Sequence, residues 1–171
     1  MSAFKNRKTY ALLGWFGLAF FATILGCGSG EIENFAGIQV VTDFHPDRIY
    51  VEIYLLDERG NPLIWNASIL SPEIGVNAVN ESKFKTNAQI YSTRQGKKGI
   101  KVYDGRLIDL HWTRVIGSSI RLMRAEIPRI LIARDLEADS ERGFITVTIQ
   151  TDKQGPFSDT AQKAQIYSRY Q

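Results

Sequence analysis

The sequence holds little of what staples or metallates a protein: one cysteine and two histidines in 171 residues. A single cysteine excludes an internal disulfide and any metal site built from several thiolates. The two imidazoles, His45 and His111, fall on separate predicted elements, too few for a histidine-based metal centre. Gly-rich phosphate loops, nucleophile elbows and the His-Glu-x-x-His pattern are absent, and no serine has a recognisable base. Neither catalysis nor a cofactor is expected. Excess charge of one sign is also missing. Lys5, Arg7 and Lys8 are the only charges before Cys27, so of 21 basic residues 18 follow it, against 18 acidic ones. That neutral, interspersed remainder argues against a nucleic-acid partner, whose affinity rests on clustered Lys and Arg.

The amino-terminal stretch is built differently from the rest. Residues 1–10 hold three cations and no acid, and an apolar run follows from Ala11 to Gly26. Its sixteen residues would rise about 24 Å as a helix, short of a hydrocarbon core of roughly 30 Å. The run ends in Ile24-Leu25-Gly26-Cys27. This resembles the lipobox of bacterial lipoproteins, with Leu25 bulkier than the usual occupant of its position. The resemblance implies cleavage between Gly26 and Cys27, lipid on the Cys27 thiol, and attachment of the chain to a membrane outside the cytoplasm. Two or three acyl chains hold a protein stably where one does so only marginally. Gly28-Ser29-Gly30 begins a flexible tether. Residues 1–26 thus read as a signal peptide, 27–34 as lipidated cysteine and tether, and 35–171 as one domain.

That domain reads as all-β, because period-two alternation and turn residues recur along it while helical periodicity is nearly absent. The strands expected are Ile38 to Phe44, Arg48 to Leu56, Leu63 to Ile69, Lys83 to Thr93 and Ile100 to Tyr103. Arg106 to Val115, Ile120 to Ile132, Gly143 to Thr151 and Ala164 to Tyr170 complete the set. Ser71 to Ser82 reads as a loop, Gln95 to Gly99 as a connection and Asp104-Gly105 as a tight turn. Pro128 points to an edge or a bulge. Val51-Glu52-Ile53-Tyr54-Leu55-Leu56-Asp57-Glu58-Arg59-Gly60-Asn61-Pro62-Leu63, with Ala67-Ser68-Ile69, is similar to the strand–turn–strand unit of bacterial immunoglobulin-like domains. This implies an immunoglobulin-like β-sandwich of about eight or nine strands and no particular activity. The tryptophan-on-disulfide hallmark of that family cannot be complete with one cysteine.

Three groups are candidate sites. Arg48 to Leu56 is apolar on one face through Ile49, Val51, Ile53 and Leu55, yet carries Tyr50, Tyr54 and Leu56 on the other. A strand meeting water should be polar there, so either a loop covers this face or Tyr50 and Tyr54 stand exposed on it as a candidate interaction surface. Asp135, Glu137, Asp139 and Glu141 form an acidic run. Ser140 and Thr146 stand where an EF-hand needs Gly and Glu, so the run reads as a solvated loop, screened by Arg134 and Arg142, in preference to a cation site. Trp65 and Trp112 read as core residues before ligand platforms. The expectation is a lipid-anchored, non-enzymatic structural or protein-interaction module of the cell envelope, partnered by the membrane through Cys27 and by an envelope protein. A ligand-binding lipoprotein for carbohydrate, lipid or a cation is the alternative.

Overall fold

The computed structural model describes residues 35–63, 77–78, 84–115, 117–118 and 120–168. Nine strands are formed among them: β1 Gly37–Phe44, β2 Arg48–Leu56, β3 Asn77–Ala78, β4 Phe84–Arg94, β5 Lys97–Gly105, β6 Ile108–Arg114, β7 Arg121–Pro128, β8 Arg142–Thr151 and β9 Phe157–Gln165. They make two antiparallel sheets, ordered β1-β2-β7-β6-β3 and β5-β4-β8-β9. The first four strands of one sheet occupy the A, B, E and D places of an immunoglobulin fold. The other sheet supplies C′, C, F and G. The domain is an immunoglobulin-like β-sandwich.

Alternation explains why the sheets stack. On β2 the residues Ile49, Val51, Ile53 and Leu55 are at most 3% exposed, and Ala88, Ile90, Ala125, Ile127, Ile145, Val147 and Ile149 are fully buried. Every second residue of β2, β7, β4 and β8 therefore enters one shared core. Each buried aliphatic side chain contributes roughly 1.5–3 kcal/mol of transfer free energy. The flank between β1 and β9 is closed by Val40, whose N–H donates to Asp159 Oδ2 at 2.7 Å. Phe35 stacks obliquely on Phe157 with ring centroids 4.7 Å apart. Gly143 lies so close to the Tyr91 carbonyl oxygen that no Cβ fits between them, where β8 bulges against β9.

Several sequence expectations need correction. Asp104-Gly105 is not a hairpin turn. Gly105 ends β5, and the chain there crosses to β6 in the opposite sheet. The tight turn lies instead at Gln95-Gly96, with φ of 51° and 69°, the left-handed pair of a two-residue hairpin. β5 consequently starts at Lys97; its lysines look like loop because the strand is a sheet edge. Pro128 marks neither an edge nor a bulge: it ends the central strand β7, paired with Arg48, and opens a 3-10 turn at Arg129–Leu131. The last strand is Phe157–Gln165, and not Ala164 to Tyr170, since this edge strand is too polar to alternate. β3 falls inside the stretch read as a loop. Over Arg48–Ile53, β2 is paired on both sides, by β1 and by β7, which leaves no edge there for a return strand from Leu63. Pro62 makes only an isolated bridge to Leu56, and 64–69 lie outside the described residues. Among the described residues, no helix is long and apolar enough to cross a membrane.

Candidate functional site

Cys27, Gly26 and Trp65 lie outside the described residues. The strand that carries Tyr50, Tyr54 and Leu56 is central, so those side chains stand on the sheet face turned away from the core. All three are half-buried. The Tyr50 ring meets His45 edge-on at 4.8 Å and has the Arg124 guanidinium over its face at 4.2 Å. Cross-strand register brings these groups together: Tyr50 faces Glu126, and Glu52 faces Arg124. Arg48 donates to Glu126 Oε2 at 2.7 Å and to Asp47, while Arg124 Nε stands 4.0 Å from Glu52. Burial, followed by the nearby Glu52 charge, pushes the Tyr54 phenol up. The face is a lattice of tyrosine, arginine and glutamate, flanked by Val41 and Ile108, each 44% exposed. β7 supplies Arg124 and Glu126, more than 70 residues away in the chain, and strand-by-strand reading does not see them.

The acidic run is not a uniformly solvated loop. Asp135 is buried and held by Ser92 Oγ at 2.5 Å, by Arg94 through both Nε at 2.8 Å and Nη2 at 2.5 Å, and by the Glu137 N–H at 3.1 Å. The two-pronged Arg94 bond, and after it the Ser92 hydroxyl, hold the Asp135 carboxyl well below the usual carboxylate range. Glu137 pairs with Arg94 Nη1 at 2.7 Å, and Asp139 accepts from the Gly96 N–H at 2.9 Å. The Glu141 carbonyl accepts from Ile166 and Tyr167 N–H groups. Tyr167 ties the segment down: its hydroxyl donates to Ala133 O at 3.0 Å and accepts from Asp135 N–H at 3.0 Å. Asp135 and Glu137 thus converge on Arg94, while Asp139 turns to the Gly96 N–H. Among the described residues no group of three or more His, Cys, Asp or Glu side chains could hold a metal ion. Arg94 supplies the compensating charge, a role sequence reasoning gave to Arg134 and Arg142.

The histidines are locally engaged. His45 lies 3.1 Å from Asp43 Oδ2, and His111 Nδ1 is 2.7 Å from the Asp109 carbonyl. Trp112 is half-buried and edge-on to Phe84 at 5.9 Å. Open depressions among the described residues include these two. One, of about 500 Å³, is lined by Phe35, Ala36, Asp57, Glu58, Arg59 and Gln154. The other, of about 370 Å³, lies beside Arg134, Asp135, Glu141 and Tyr167. Their linings are mostly polar or charged, unlike the apolar clefts that enclose small ligands.

No protein-family model, curated protein or solved structure matches this chain. Its functional reading rests on its own residues. One surface feature went unseen in the sequence: Ile130, Leu131 and Leu136, in the connection from β7 to β8, are 91%, 58% and 88% exposed. A run ending in Ile132 reads as the tail of a strand, and only Pro128 signals where the strand stops.

Proposed function

We propose that this chain is a lipid-anchored extracytoplasmic lipoprotein, whose β-sandwich is a non-enzymatic structural or protein-interaction module of the cell envelope. The observation that carries the reading is the place of the sole cysteine. Cys27 closes an apolar run too short to span comfortably, behind a cationic amino terminus, and precedes Gly28-Ser29-Gly30. A free thiol is a liability in an oxidising compartment, and lipid on sulfur removes it. The tether from 27 to 34 reaches about 26 Å when extended, at roughly 3.3 Å per residue. A domain on such a leash samples the space just above a bilayer.

The face of Tyr50, Tyr54 and Leu56 supports the protein-interaction half of the reading. Tyrosine and arginine are the residue types enriched where proteins meet, and here Arg48 and Arg124 flank one tyrosine ring. Metabolic labelling with a fatty-acid analogue tests the anchor. Wild type takes up label, while Cys27→Ala takes up none and accumulates as unprocessed precursor. Equal label on both refutes the reading.

A further inference from the structure

We draw no further inference here: the strongest candidate, the outward face of β1, β2 and β7 around Tyr50 and Arg124, belongs to the surface already described, and nothing in the structure shows what covers it.

Discussion

Removing one oxygen atom tests how the β7–β8 connection is fixed. Tyr167→Phe keeps the ring and deletes the hydroxyl that accepts from Asp135 N–H and donates to Ala133 O, both at 3.0 Å. Burial pushes the Tyr167 phenol up, so it is protonated and able to donate at neutral pH. A typical hydrogen bond contributes about 0.5–1.5 kcal/mol net, and an orphaned buried group costs more. Ala133 is exposed, so water replaces much of that bond. The Asp135 N–H lies beside a buried carboxylate with little access to water. The sum is about 1–2 kcal/mol, or a melting temperature lowered by roughly 3–8 °C for a domain this size. Circular dichroism melts of the protein beginning at residue 31 measure it. The hydroxyl should also be coupled to its neighbour: with Asp135→Asn present, Tyr167→Phe should cost measurably less. A shift below 1 °C, or strict additivity, would refute the account of a pinned connection.

Asp135→Asn should flatten the acid limb of stability. The folded carboxyl is depressed below its unfolded value of about 3.9, so its stabilisation is complete above that pH and lost as pH falls below it. Wild type should weaken more steeply than the variant below about pH 4, and parallel curves would count against the Arg94 pair as the cause. Ile145→Ala, at a fully buried position, should cost about 2–5 kcal/mol with an unchanged urea slope. A loss under 1 kcal/mol would mean that β8 does not face a packed sheet. Tyr50→Ala with Tyr54→Ala should cost about 1–2 kcal/mol from lost ring contacts and abolish co-purification of envelope proteins. A larger collapse in stability with co-purification intact would make the tyrosines purely structural.

The elements legible in sequence were those whose two faces differ. β2 runs from Arg48 to Leu56, as its alternation of Ile49, Val51, Ile53 and Leu55 predicts, and β8 likewise through Ile145, Val147 and Ile149. Edge strands were not. Lys97 and Lys98 in β5, and Ser158 to Gln162 in β9, face solvent on the free side and carry no period. Asp104-Gly105 misled because a strong turn pair also suits a chain leaving one sheet for another. The candidate site was half legible. The tyrosine face follows from one strand's pattern, but its arginines and glutamates come from β7, and Asp135 meets Arg94 across 41 residues. Such partnerships depend on strand order, which local periodicity does not encode. The exposure of Ile130, Leu131 and Leu136 was hidden by continuity, since apolar residues resume at Ile130 directly after Pro128-Arg129.

Mass spectrometry of the amino-terminal peptide of the membrane-extracted protein tests the central claim most directly. The account predicts a mature chain that begins at Cys27, with diacylglycerol on its sulfur and no peptide from residues 1–26. A mature chain beginning elsewhere, or an intact amino terminus with a free Cys27 thiol, would contradict it.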